Sequence, residues 1–238
     1  MFGHLAAMNE ITMMSAVKTN KNERIEPKKP RQVGLLRQVD VPLGEKNGMV
    51  IDQFTFGDKA SWAHRISLTA NGDRSRPIPP GTYTRLYRKD LGRTVVMSDT
   101  PSEMWDHKDF VDKANGRVLL AGLGIGMVLE ALARKEEVTR IRVVENNQDV
   151  IDLVWAHYAD KYGDKIELWN GSIFDYPGGE TWDCAWFDIW DNKCVDNLEE
   201  MGKLKRKFPP RNCPVRGFWS EEDLRKRRSR ERRSRWAW

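Results

Sequence analysis

The 238-residue sequence predicts an α/β fold: a C-terminally shortened parallel sheet, preceded by a small antiparallel β subdomain. Three observations carry this expectation. Val118-Leu119-Leu120-Ala121 is a continuous apolar run, the pattern of a strand buried on both faces of a parallel sheet. Gly122, Gly124 and Gly126 follow, and helical spacing begins at Met127, with Val128, Leu129, Leu132 and Ala133 apolar. Two further apolar runs end in acids: Ile141, Val143 and Val144 before Glu145, and Cys184 to Phe187 before Asp188. Strand, glycine turn and helix form the mouth of a nucleotide-binding crevice. Glycines let a backbone approach a ligand, and a helix N-terminus offers unpaired N–H groups to an anion.

The elements follow in chain order. Residues 1–32 show no sustained period and carry Pro27 and Pro30 in a charged stretch, which reads as a flexible arm. Residues 33–98 read as the β-rich subdomain. Met49 to Phe56 is rich in β-branched and aromatic residues. Ile66-Ser67-Leu68-Thr69-Ala70 alternates and ends at Asn71-Gly72, which reads as a strand before a turn. Tyr83 to Tyr87 and Thr94 to Met97 form a hairpin across Asp90-Leu91-Gly92. Residues 99–219 hold the ligand-binding domain. Thr100, Pro101 and Glu103 make a capping box, so Glu103 is either a cap or, with His107 at i+4, part of a polar face. Residues 147–162 and 195–207 read as helices, Lys165 to Trp169 and Val215 to Trp219 as strands. Residues 220–238 read as a basic helical tail.

Spacing narrows the ligand. A dinucleotide turn reads G-x-G-x-x-G, whereas here the pattern is G-x-G-x-G and position 127 is Met. Glu145 stands 19 residues past Gly126 and ends the next strand, where a carboxylate accepts hydrogen bonds from both ribose hydroxyls. That register fits S-adenosylmethionine at least as well as NAD. Leu123 and Asn146 flank the turn and the acid and join the same candidate site. After the next strand, Asn170 or Ser172 meets the adenine edge, and Ile173 covers its face; an ordinary turn is the simpler alternative. Asp188 ends a strand beside the turn, where a carboxylate steadies a cation or takes a proton. Trp190 and Asp191 border the acceptor side, and Asp99, Glu103 and His107 line the mouth.

Composition sets the surroundings. No apolar run approaches the roughly 18 residues of a membrane span. No secretory pattern is expected, and three cysteines without metal-ligand spacing suit a reducing cytoplasm. The net charge is +5, but residues 224–238 alone hold eight basic residues and one acid, leaving about −2 on the body. Such a run is either a solvated helix or a phosphate-binding surface for RNA or DNA.

The assembled pattern resembles the class I S-adenosylmethionine-dependent methyltransferase fold, a Rossmann-like sheet, and within it the spermidine synthase-like branch. The resemblance covers roughly residues 83–200. It rests on Val118 to Gly126, Val143-Val144-Glu145, Gly171-Ser172, Phe187-Asp188-Ile189-Trp190-Asp191, and the Glu103–His107 pair before the first strand. It implies a methyltransferase with a small-molecule or nucleic-acid acceptor. Gly122, Gly124 and Gly126 then hold the amino-acid end of the cofactor, Glu145 the ribose, Ser172 and Ile173 the adenine, with Asp188 at the reacting centre. The chain departs from polyamine synthases at Asp106, where they carry Tyr, at Ser172, where they carry Asp, and at Asn192, where they carry Pro. A terminal hairpin of two further strands is expected to be missing or much reduced. The alternatives are an aminopropyltransferase, which would use the acids as amine binders, and a non-catalytic nucleoside- or nucleic-acid-binding accessory protein.

Overall fold

The computed structural model describes residues 31–70 and 76–235. Nearly all of the N-terminal arm, the Asn71-Gly72 turn, and Trp236 and Trp238 lie outside them. In chain order the elements are β1 (Gln32–Val33), β2 (Leu36–Arg37), β3 (Gly44–Lys46), β4 (Met49–Phe56), α1 (Asp58–Ala70), β5 (Gly81–Arg88) and β6 (Thr94–Ser98). There follow α2 (Pro101–Lys113), β7 (Gly116–Ala121), α3 (Met127–Ala133), β8 (Val138–Glu145), α4 (Gln148–Tyr162), β9 (Ile166–Asn170), β10 (Cys184–Phe187), α5 (Asn197–Lys207), β11 (Val215–Phe218) and α6 (Glu221–Arg235).

Five strands form a parallel sheet in the order β11-β10-β7-β8-β9. Numbered within the domain this is 3-2-1-4-5 read from the β9 edge, the doubly wound Rossmann-like order. The order reverses between β7 and β10, so a crevice opens at their carboxyl ends. Among the described residues no antiparallel strand extends this sheet. β7 explains its own burial. Val118 and Leu120 belong to one core, Leu119 and Ala121 to the other. A strand covered on both faces must be apolar throughout.

A second, antiparallel sheet has the order β3-β4-β5-β6. Its Met49, Ile51, Leu86 and Met97 share one hydrophobic core with Leu120, Val128 and Val143 of the parallel unit. The smaller sheet therefore caps one side of the crevice.

Residues Ile66 to Ala70 are a correction. They form the last turns of helix α1, not a strand. Ser61, His64 and Leu68 face inward at helical spacing, while Trp62 and Ile66 face solvent. His64 Nδ1 accepts the Ile78 N–H and Ser61 Oγ donates to the Ile78 carbonyl, which ties the helix to the loop before β5.

α5 packs Leu198, Met201 and Leu204 on the second face of the sheet, together with Leu224 of α6. The basic tail is thus anchored by one buried leucine, and its charges stand outside. No helix among the described residues is long and apolar enough to cross a membrane.

Candidate active site

The β7 turn is built for close approach. Gly122 has φ +98°, a left-handed conformation, and a Cβ there would collide with the Asp188 carbonyl oxygen. The two strand ends are stitched together, with Asp188 N–H donating to the Ala121 carbonyl at 2.9 Å and Gly122 N–H to the Val144 carbonyl at 2.9 Å. Gly126 is a second left-handed residue, φ +77°, but it turns inward against the Tyr158 ring. It does not border the crevice, which Gly122 and Gly124 do. Its freedom from a Cβ admits Tyr158, whose hydroxyl donates to the Ile125 carbonyl at 2.9 Å.

Glu145 is buried at the end of β8. One carboxylate oxygen accepts the Leu123 N–H at 2.9 Å, the other the Asn147 N–H at 2.8 Å. Burial nonetheless raises its pKa above the ordinary carboxylate value. The Asn146 N–H adds to this cradle, and an ionised carboxylate, with about four acceptor sites, keeps capacity beyond these donors. The loop around the acid is equally fixed. Gly171 N–H donates to the Glu145 carbonyl at 2.9 Å, and Asn147 caps α4 by accepting the Asp149 N–H.

These elements enclose a cavity of about 850 Å³. Gly122, Leu123, Gly124, Glu145, Asn146, Ser172, Ile173, Asp188, Trp190 and Asp191 all border it. Of the two candidates for the adenine edge, Ser172 faces the cavity, whereas the Asn170 side chain donates to Gln148 at 2.6 Å. Trp190 Nε1 donates to Glu200 at 2.6 Å, which fixes the indole as a wall. No sequence pattern points to Arg88 and Met97, which reach the cavity from the smaller sheet, or to Glu200 from α5. They are brought in by packing between elements distant in sequence.

The three residues expected at the mouth lie elsewhere. Asp99 is fully buried and accepts the Thr84 N–H at 2.8 Å and the Val39 N–H at 3.1 Å. Its carboxylate is consumed in joining β5 to the chain before β3, with its pKa pushed up to about 6 by burial. Glu103 forms half of the expected capping box. Thr100 accepts the Glu103 N–H, but the Glu103 carboxylate turns to Ser98, accepting from its N–H at 2.7 Å and from its hydroxyl. His107 is fully buried behind Asp188. None of the three borders the cavity.

The charge environment of Asp188 is set by its neighbours. Burial first, and then Asp106, pushes it up to about 7, while Lys193 opposes. Lys193 lies 3.4 Å from Asp106, which also pairs with Arg76. Asp191 lies 3.9 Å from Arg88. Burial raises Glu103 to about 8.

No family model matches the chain, and no curated protein matches it. Solved structures align with part of the chain. The O-methyltransferase TomG from Streptomyces achromogenes, in complex with SAM, is 16% identical over 50% of this chain and 55% of its own, with a TM-score of 0.37. A dimethyladenosine transferase from Plasmodium falciparum is 14% identical over 46% of this chain and 38% of its own, with a TM-score of 0.36. A DhpI–SAM–HEP complex is 18% identical over 43% and 47%, with a TM-score of 0.34. The chain spans about half the length of these structures or less.

Proposed function

We propose that this chain is an S-adenosylmethionine-dependent methyltransferase. Glu145 carries the reading: a buried carboxylate at the end of the second domain strand, held by two backbone N–H groups and open to the cavity. The cradle fits the cofactor. Gly122 and Gly124 border the cavity, and the turn they form holds the amino-acid end. Glu145 takes the ribose hydroxyls, with Asn146 beside it; Ser172 and Ile173 border the adenine. Trp190 and Asp191 face the acceptor. When bound, the cofactor supplies a methyl carbon already activated by its sulfonium. The chain then needs only to align the acceptor, exclude water and accept a proton at Asp188. Calorimetric titration with S-adenosylmethionine tests the reading, with one site per chain expected.

A polyanionic acceptor is the reading favoured by α6. The helix begins just past the carboxyl edge of β11, the same edge as the crevice, and Leu224 anchors it. Arg230 and Arg232 are exposed on it. Truncation at residue 224 would strip a core side chain, so charge removal is the cleaner probe. Replacing Arg228, Arg230 and Arg232 by Gln is expected to lower RNA or DNA affinity and to flatten the slope of log K against log salt by roughly 2–3. An unchanged slope would remove the nucleic-acid reading and leave a small-molecule acceptor.

A further inference from the structure

Behind the crevice wall lies a histidine with nothing to bond to. His107 is 0% exposed, and neither ring nitrogen has a hydrogen-bond partner among the described residues. Leaving a buried polar group unpaired costs about 1–3 kcal/mol. The ring is nevertheless held firmly. Trp186 meets it edge-on at 5.6 Å between centroids, and Phe110 of the same helix stacks on Trp186 at 5.1 Å. Nε2 lies 3.8 Å from Asp188 Oδ2. Asp188 in turn borders the cavity. One turn earlier on the same face of α2 stands Glu103, whose carboxylate is taken by Ser98. Two elements thus bring one unsatisfied imidazole against the single carboxylate assigned to proton transfer.

We propose that His107 is a positioning residue for Asp188: a small shift of either side chain closes the 3.8 Å gap, and Nε2–H then donates to the carboxylate and favours its ionised, proton-accepting form. The inference rests on the proposed role of Asp188. In the transfer step the acceptor's lone pair forms the new bond to the methyl carbon, and the carbon–sulfur electron pair stays on sulfur. The acceptor's N–H or O–H proton passes to Asp188, which becomes a neutral carboxyl; His107 keeps its proton throughout. The acceptor is therefore an amine or hydroxyl group with a proton to lose.

The electrostatics agree with this geometry. Burial, helped by Lys193, lowers His107 to about 3, so the ring is neutral and one nitrogen is free to carry the hydrogen. The charged groups acting on Asp188 include Asp106 and Glu103 on α2, Lys193 and Asp191 on the loop after β10, and Glu145 on β8. Of these, Lys193 favours the anion, and it is shared with Asp106. A neutral donor at His107 supplies what the field does not.

The test is nuclear magnetic resonance of the full chain without cofactor, with ¹⁵N-histidine and ¹³C-carboxyl aspartate labels. The chain has four histidines, so His107 is assignable by substitution. We expect His107 in the Nε2–H tautomer, with its nitrogen shifts inflecting at the Asp188 midpoint and the inflection lost in Asp188→Asn. His107→Leu is expected to raise the Asp188 midpoint by about one pH unit, tenfold in proton affinity. His107→Gln, which retains an N–H donor, should raise it less. An Nδ1–H tautomer, or an Asp188 midpoint indifferent to both substitutions, would overturn the inference. If His107→Leu does not fold, the wild-type tautomer and the Gln variant decide. No cofactor is needed, so a chain that binds no S-adenosylmethionine still answers the question.

Discussion

Glu145→Ala is expected to weaken S-adenosylmethionine binding by about 100-fold or more, since two hydrogen bonds to a charged group contribute about 3 kcal/mol together. The side chain has two tasks. It fixes the turn through Leu123 and the start of the α4 cap through Asn147. It also presents the remaining acceptor sites to the cavity. Removing it leaves two backbone donors unpaired as well as the ribose unheld. Glu145→Gln separates the tasks. An amide keeps one acceptor oxygen but turns an NH₂ toward a backbone N–H, so its affinity should fall between the two. Calorimetry with a parallel melting curve reads both effects. Affinity unchanged in a folded Glu145→Ala protein would remove the ribose assignment.

Gly122→Ala is expected to cost about 3 kcal/mol or more of stability, or roughly 6–12 °C in Tm for a chain of this size. Two penalties coincide at one position. The residue has φ +98°, and the added Cβ meets the Asp188 carbonyl, a backbone atom that cannot rotate away. That carbonyl belongs to the residue whose N–H bonds Ala121, so relief of the clash would pry β10 from β7 at the crevice. Gly178→Ala is the control. A Cβ there meets nothing within 4 Å, and the change should stay within about 1 kcal/mol. Equal melting temperatures for the two variants would contradict the close packing at the switch point.

The parts of the fold legible in the sequence were those where burial leaves one solution. Val118–Ala121 and Cys184–Phe187 are apolar without a break because both faces of their sheet are covered. The α2 boundary was legible because Thr100 and Pro101 suit only a helix start. The 66–70 segment resembles a strand for a physical reason. Five alternating residues fit a strand, and the helical period of Ser61, His64 and Leu68 emerges only over the whole of α1. The site divides in the same way. The turn, Glu145 and Asp188 follow from strand ends, which a parallel sheet gathers at one edge. Spacing along the chain does not tell which way a side chain turns. Asp99 is spent on backbone N–H groups, Gly126 on Tyr158, and Glu103 on Ser98. Arg88 and Met97 reach the crevice only because the smaller sheet folds over it.

Methyl transfer is tested most directly by calorimetric titration of the purified chain with S-adenosylmethionine and, in parallel, with its decarboxylated form. Tighter binding of the intact cofactor is expected, because the Gly122–Gly124 turn is assigned to its amino-acid end. Tighter binding of the decarboxylated form would contradict methyl transfer and point to aminopropyl transfer. Binding of neither by folded protein would contradict both and leave the accessory role that the basic helix α6 suggests.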